Sequence, residues 1–407
     1  MKALGLVVEY NPFHHGHYYH IQSSKEKTNA DIVICVMSGY FLQRGEPAFM
    51  PRRERTKMAL AGGADLVVEL PYIFSSQHAG WFAQGAVSVL DSLFADVLSF
   101  GSEHGEIAPF MELQTFLEKH QYTYDKWIKH YTKEGCSYPK AAALAFQELG
   151  PAQSLPDLSQ PNNILGYYYI KAITSLQSNM KVETIARTGS GYHETDISAH
   201  SIASATSIRR SLLKDNKPLE DVAPTIPLST FSILQDYQEK GEFFYEWDKY
   251  YPYLQGKLAV MTVEELERHY EMEEGLQYRL KKAALQQESF TSFMKAVKTK
   301  RYTWTRIQRI CTQLLTGTLK KEAAISLKSG RADHIRLLGM NEKGQAYLNL
   351  VKKKVDIPIH SQMTGDKTPQ MKLNEKAARA YFQPLPPPGR IKCWQEDYRL
   401  PPVMPEN

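Results

Sequence analysis

The chain has 407 residues, of which 43% are hydrophobic, 23% charged and 11% aromatic, with a formal net charge of +5; this composition builds a packed core and excludes a disordered or fibrous chain. No apolar run reaches the roughly 18 residues of a membrane span, and Met1-Lys2 leads straight into strand-like sequence rather than a signal peptide, so a cytoplasmic protein with no membrane partner is expected. Cys35, Cys136, Cys311 and Cys393 stand far apart with no C-x-x-C pair, which argues against a disulfide framework and against a cysteine zinc site.

Four short apolar runs, LGLVVEY (4–10), ADIVICVMSG (30–39), ADLVVELP (64–71) and ADVLSFGSE (95–103), predict buried strands. The segments between them have helical spacing: in RRERTKMALAGG, Thr56, Ala59 and Leu60 share a face and Gly62-Gly63 supply the stop, and WFAQGAVSVLDSLF reads the same way. Alternation of strand and helix implies an α/β fold, a parallel sheet with helices on its faces. From about 105 to 160 the period is helical without strands, a helical insertion that closes in the breaker-rich LGPAQSLPDLSQPNN. The alternation then resumes with ILGYYYIKAITSLQ, a fifth strand KVETIAR (181–187), the turn TGSGYH and a helix opening at SATSIRRSLL. A Rossmann-like, doubly wound domain of five strands is therefore expected over 1–215. Residues 216–383 read as a mainly helical, basic region with a short mixed segment, HIRLLGMNEKGQAYLNLVKKK; residues 384–407, with PLPPPG, read as a proline-rich tail that need not pack.

The chemistry is concentrated in GLVVEYNPFHHGHYYH. In an open parallel sheet, ligands collect at the carboxyl ends of strands where strand order reverses, usually beside the first strand. There Asn11-Pro12 ends the strand, Gly16 lets backbone approach a ligand, and the helix that follows offers free amides carrying about half a positive charge, which suits phosphate. His14 and His17 are three apart, so one helical turn brings both imidazoles to the same side. Two other readings stay open at this point: ordinary surface histidines, or part of a zinc site completed by His78, His104 or His193. No H-E-x-x-H or cysteine pairing supports the metal, and a metal site is not expected.

His14-His15-Gly16-His17 after the first strand resembles the H-x-G-H signature of the HIGH-type nucleotidyltransferase superfamily, and SATSIRRSL is similar to that superfamily's second signature. GLVVEYNPFHxGHxYH, VMSGxFLQRGEPA, FGSE, QPNNILGxxY and ARxGxGYH together resemble the tRNA(Met) cytidine acetate ligase family. His15 departs from that family's Asn, at a position that faces away from the phosphates in the superfamily.

The resemblance implies an ATP-dependent ligase: acetate attacks the α-phosphate of ATP, giving acetyl-adenylate and pyrophosphate, and the N4 amine of the wobble cytidine of elongator tRNA(Met) takes the acetyl group, forming N4-acetylcytidine. It implies catalytic roles for His14, His17 and Arg209. ATP is expected along Val7, Val8, Glu9, Tyr10, Asn11, Pro12, Phe13, His14, His15, Gly16, His17, Tyr18, Tyr19 and His20, with Gly101, Asn162, Arg187, Ser207 and Arg209 completing the site. Asn162 alone reads equally as a helix cap, and Arg209 alone as a solvated helix face. Gln43 and Arg44 are expected on the acetate or cytidine side, an Arg44–Glu46 ion pair being the plainer reading. A carboxylate nucleophile is already ionised and needs no general base, and Mg²⁺ is expected to accompany ATP.

The segment SFMKAVKTKRYTWTRIQRICTQLL gathers Lys295, Lys298, Lys300, Arg301, Arg306 and Arg309 with Tyr302 and Trp304. Cations for a backbone and aromatics for unpaired bases suit tRNA, and an amphipathic core helix with a basic face is the alternative. A small-molecule adenylyltransferase of the same superfamily, or a non-catalytic ATP- or RNA-binding module, remain alternatives for the whole chain; the oligomeric state is not legible.

Overall fold

The computed structural model describes residues 1–187, 204–273 and 275–405. The chain alternates β1 (Ala3–Val8), α1 (His15–Thr28), β2 (Ile32–Ser38), α2 (Arg52–Ala61), β3 (Leu66–Leu70), the single turn α3 (Tyr72–Ser75), α4 (Ala79–Ser92) and β4 (Val97–Ser102). The helical insertion follows as α5 (Ala108–Lys119), α6 (Gln121–Lys133) and α7 (Tyr138–Glu148), and then come α8 (Pro161–Ser175), β5 (Lys181–Ala186) and α9 (Ala205–Leu213). The turn TGSGYH, with His193, lies outside the described residues. The helical region comprises α10 (Leu228–Glu239), α11 (Trp247–Val260), α12 (Val263–Glu267), α13 (Leu276–Ala284), α14 (Phe290–Val297), α15 (Trp304–Thr316) and α16 (Lys320–Leu327). Last come β6 (Ile335–Met340), α17 (Glu342–Val351), β7 (Ile359–His360), α18 (Pro369–Tyr381) and α19 (Pro387–Arg399). Among the described residues no helix is long and apolar enough to cross a membrane.

Among the described residues seven strands form one sheet in the order β5-β4-β1-β2-β3-β6-β7. The five strands expected from the sequence pair in parallel, whereas β6 joins β3 antiparallel. The chain moves outward from β1 through β2 to β3 and then returns to the other side of β1 with β4. That reversal opens a crevice at the carboxyl ends of β1 and β4. Every residue of β2, IVICVMS, is buried, as a strand covered on both faces requires.

Alternate residues of the strands feed two cores. Leu4, Leu6, Val33, Cys35 and Met37 face α1, α2 and α10. Ile32, Ile34, Val36, Leu66 and Val68 face α4 and α8, and that cluster continues without a break through Tyr250, Phe293, Ile310 and Tyr381 of the helical region. The helices after β5 are thus bonded to the sheet by shared apolar burial.

The tail read as loose is instead helical and packed. Proline is compatible with the first turn of a helix, where the missing N–H has no partner to lose, so Pro387 and Pro388 start α19. Its Asp397 is buried and accepts hydrogen bonds from Tyr40 and Arg52. Arg52 also donates to Glu69 at 2.6 Å, and Arg336 of β6 lies 3.5 Å from Asp397. Burial by itself would raise the Asp397 carboxyl, but Arg52 and Arg336 hold it below its ordinary range. A paired buried carboxylate contributes stability above its unfolded pKa and loses it as pH falls through the lower folded value. Asp397→Asn is therefore expected to cost about 3–5 kcal/mol in denaturant unfolding at pH 7, because it leaves Arg52 and Arg336 short of a counter-charge, and the difference from the parent protein should shrink below about pH 4.

Candidate active site

The mouth of the site is built on one buried guanidinium. Arg55 of α2 is wholly buried and donates to the carbonyls of Glu9 (2.7 Å), Ser38 (2.9 Å), Met50 (3.1 Å) and Gly39. It thereby holds together the carboxyl ends of β1 and β2, where an open sheet would otherwise leave carbonyls without donors. Burial lowers its pKa to about 10, so it stays a cation at neutral pH.

Beyond Glu9 the chain turns at Tyr10, whose φ is 47°, and enters α1 with His14 as the N-cap. The Gly16 N–H donates to His14 Nδ1 at 3.0 Å, and the His14 N–H donates to His17 Nδ1 at 3.3 Å. This reciprocal cap serves two of the free amides of the first turn. It also decides the tautomers: a neutral imidazole whose Nδ1 accepts must carry its proton on Nε2. The two rings lie close together, centroids 3.8 Å apart and tilted by 31°, so the two Nε2–H donors belong to neighbouring imidazoles. Burial, reinforced by the Arg187 charge, pushes His14 down to about 3. Burial and the His14 ring keep His17 well below its usual value. Both are neutral donors at physiological pH. His20, one turn further on, has a buried Nε2 with no hydrogen-bond partner and is likewise pushed down, to about 4, by burial and by Arg187. His15, Tyr18 and Tyr19 are exposed on the outer side of the same turns.

Arg187 follows β5, its N–H donating to the Ser102 carbonyl at 3.0 Å. Gly101 lies against the Arg187 side chain, where an added Cβ would make an ordinary 3.4 Å contact, and the Arg187 charge acts on His14, His17 and His20. Arg209 of α9 crosses to the first motif, donating to the Asn11 carbonyl at 2.8 Å and to Glu46 Oε2 at 3.0 Å. The solvated-face alternative for Arg209 is therefore excluded, and the Glu46 carboxylate is engaged by Arg209. Ser207 is buried; its N–H donates to Ser204 Oγ at 3.1 Å and its hydroxyl to the Ser204 carbonyl at 2.8 Å, so both donors are used inside the first turn of α9. Asn162 lies within α8, whose N-cap is Gln160; its Nδ2 donates to Glu103 Oε1 at 2.6 Å. The cap reading of Asn162 gives way to a strut between β4 and α8.

On the other side of the crevice, Gln43 donates its N–H to Glu9 Oε1 at 2.8 Å and its Nε2 to the Gln77 carbonyl at 3.1 Å. Burial raises the Glu9 carboxyl, opposed by that Gln43 N–H. Sequence reasoning missed what holds this loop. Gln308 donates to the Arg44 carbonyl at 3.0 Å, and Thr312 (2.6 Å) and Trp247 (3.2 Å) donate to the Gly45 carbonyl. Gly45 has φ 79°, and a Cβ there would meet the Arg309 backbone at 2.6 Å, so only glycine fits. The available signal was the row of polar residues Gln308, Thr312 and Thr316 at i, i+4 and i+8 on α15, all of them buried.

The basic segment spans α14, the link after it and the start of α15. Lys295, Lys298, Lys300 and Arg301 are exposed. Tyr302 and Arg309 are buried; Arg309 pairs with Glu271 at 3.0 Å. Arg306 pairs with Glu273 at 2.8 Å, and the half-buried Trp304 donates to Gln308 at 3.1 Å. The expectation of an open row of cations and rings is thus corrected at Tyr302, which is buried just before α15, and at Arg309, which lies in the stretch of α15 from Ile307 to Thr316 that is buried on every side. Among the described residues no three His, Cys, Asp or Glu side chains come together as a metal site.

Five parallel strands that reverse order at β1, with two neutral histidines capping the next helix and an arginine from a second motif bonded to the Asn11 carbonyl just before them, define a HIGH-type nucleotidyltransferase. The family model described as HIGH Nucleotidyl Transferase matches residues 1–392. The chain is 49% identical to the tRNA(Met) cytidine acetate ligase of Anoxybacillus flavithermus, covering 99% of this chain and 100% of that one. It is 44% identical to that of Bacillus subtilis, over 99% and 97%. Among solved structures, apo Thermotoga maritima TmcAL matches with a TM-score of 0.91 at 33% identity over 99% of both chains. The same protein bound with alpha-thio ATP matches at 0.89 and 32%, again over 99% of both chains. The chain belongs to the tRNA(Met) cytidine acetate ligase family.

The electrostatics yield a direct test. In the ligand-free protein the His14 and His17 imidazole signals should stay at neutral-ring positions in a ¹⁵N NMR titration from pH 8 to pH 5. A midpoint near the ordinary histidine value, about 6.5, would show that the rings are solvated rather than buried.

Proposed function

We infer that the chain is an ATP-dependent tRNA(Met) cytidine acetate ligase acting in the cytoplasm. Acetate attacks the α-phosphorus of ATP, a C–O–P bond forms, pyrophosphate leaves, and the exocyclic N4 amine of the wobble cytidine in elongator tRNA(Met) then displaces AMP from the acetyl carbon. The observation that carries this reading is the contact of Arg209 with the Asn11 carbonyl and Glu46. It unites the second motif, the histidine pair and the loop after β2 at one mouth.

Phosphoryl transfer asks a protein mainly to position reactants and to stabilise charge growing on phosphate oxygens. In this reading, His14 and His17 donate Nε2–H to the α-phosphate and the bridging oxygen. Neutral donors suit that role, since they leave no uncompensated charge in a buried site before ATP arrives. Arg187 and Arg209 hold the departing pyrophosphate through their forked guanidinium groups. Gly101 and Asn162 flank the adenosine, and the amides opening α9 near Ser207 face the phosphates. Gln43 and Arg44 take the acetate carboxylate or the cytidine. Mg²⁺ would enter with ATP, held by phosphates and water. Exposed Lys295, Lys298, Lys300 and Arg301 present positive charge to tRNA beside the helix that clamps the Gln43–Arg44 loop.

Incubation with ATP, labelled acetate and total tRNA should release pyrophosphate only when acetate is present and leave the label in N4-acetylcytidine. Turnover with a nucleotide acceptor in place of acetate would replace this reading with a small-molecule adenylyltransferase. His17→Asn, whose Oδ1 can still accept the His14 N–H but which lacks the Nε2 donor, should slow adenylate formation by about 10²–10³-fold, with tRNA affinity retained. Reversing Lys300 and Arg301 to Glu should weaken tRNA binding about tenfold or more at moderate salt; unchanged affinity in a filter-binding assay would remove this segment from the RNA surface.

A further inference from the structure

The insertion between β4 and α8 has no part in the chemistry above, yet it is joined firmly to the mouth of the site. Glu103, just after β4, accepts from the side chain of Asn162 and from the Asn163 N–H (2.9 Å), and the Asn163 side chain accepts in return from the Glu103 N–H at 3.1 Å. Leu113 and Leu117 of α5 and Phe146 of α7 share a small core with Tyr167 of α8. On this base α6 and α7 form a helical hairpin with its own core of Ile128, Ala141 and Ala145.

The outward side of α6 is unusual in charge. Tyr122, Lys126, Lys129 and Lys133 recur at i, i+4, i+7 and i+11, which puts them in one stripe along the helix, and all four are exposed. Lys126 to Lys133 spans about 10 Å at 1.5 Å per residue, comparable with about three phosphates along one nucleic-acid strand. The three lysines form no ion pair among the described residues, and the nearby carboxylates hydrogen-bond to other side chains while keeping their charge. Asp125 accepts from Gln121 at 2.9 Å, Glu134 lies 3.3 Å from His130, and Glu148 accepts from Tyr131 at 2.7 Å. At the head of the stripe Tyr122 is 84% exposed, a large ring with nothing covering it. By contrast, Arg306 and Arg309 of the segment expected to bind RNA are already paired with Glu273 and Glu271.

We propose that the Tyr122–Lys126–Lys129–Lys133 stripe of the insertion hairpin is a second RNA-binding surface, which grips the phosphate backbone of the tRNA stem-loop that carries the target cytidine. This rests on the ligase reading of the site. A cytidine delivered into the crevice at β1 and β4 brings its flanking backbone past whatever stands on the rim, and the hairpin is anchored there by Glu103 and α8. Three cations without an ion-pair partner, at helical spacing, match a polyanion. An apolar protein partner or a bilayer would instead call for a continuous hydrophobic face, which α6 turns inward to Ile128. Tyr122 supplies a ring for an unpaired base.

The test uses the full-length protein with Lys126, Lys129 and Lys133 all changed to Glu, and in parallel all changed to Arg. Binding of tRNA(Met), and of its isolated anticodon stem-loop, is measured against salt concentration, with a thermal melt as the folding check. The Glu variant should melt like the parent, bind both RNAs about tenfold or more weakly, and show a log K against log salt slope shallower by about 2–3. The Arg variant should bind like the parent. Equal affinity and slope for parent and Glu variant would overturn the surface while leaving the ligase reading intact. A loss for whole tRNA that is absent for the stem-loop would overturn the assignment to that arm. A parent protein that neither binds nor acetylates tRNA(Met) would sink the ligase reading, and this surface with it.

Discussion

A single buried guanidinium governs the geometry of the crevice. Arg55 donates to the carbonyls of Glu9, Ser38 and Gly39 at the carboxyl ends of β1 and β2, and to that of Met50 just before its own helix. Sheets splay at their carboxyl ends, and the carbonyls there must find donors or water. One planar cation with several fixed donors satisfies them together, and a lysine, a point charge on a flexible stem, would not. Everything downstream inherits that fixation. Glu9 is held where its side chain accepts from Gln43, and Asn11 follows at the point where Arg209 arrives.

The histidine pair shows how local capping becomes chemistry. His14 sits at the N-cap because its extended backbone starts the helix, and the two Nδ1 atoms are occupied by amides of the first turn. Burial then removes the protons that water would allow them. What remains is a pair of neutral Nε2–H donors fixed in orientation before any ligand binds. Preorganisation of this kind supplies most of what a phosphoryl-transfer site requires. It depends on no single residue in isolation, since the cap, the close contact of the two rings and the Arg187 charge all bear on the same two imidazoles.

The helical half of the chain contributes more than bulk. α15 clamps the loop after β2 through Gln308 and Thr312, and its outer end leads into the exposed lysines of the preceding link. α19 is tied back to β3 and β6 through Asp397, Arg52, Glu69 and Arg336. Buried ion networks of this kind add little net stability against an apolar alternative, but they punish any misplacement of their members. They thereby fix where the last helix stands against the sheet.

Apolar runs of strand-forming residues, separated by helical spacing, were enough to locate five strands to within about two residues, since hydrophobic periodicity is a local property of the sequence. The H-x-G-H motif and the Ser-Ile-Arg motif were likewise legible, because helix N-termini after strands bind phosphate by backbone geometry alone. Contacts between residues distant in the chain were not. That β6 would extend the sheet antiparallel, that Tyr302 and Arg309 would turn inward, that Arg209 would reach Asn11 and Glu46, and that the proline-rich end would fold into a helix carrying a buried Asp397 were decided by tertiary packing. Each of these depends on a partner hundreds of residues away, or on which face of a helix meets the core, and neither is written in local spacing. The sequence determined the elements and the kinds of chemistry they carry; burial and long-range hydrogen bonds decided which of the charged and aromatic residues were left free to act.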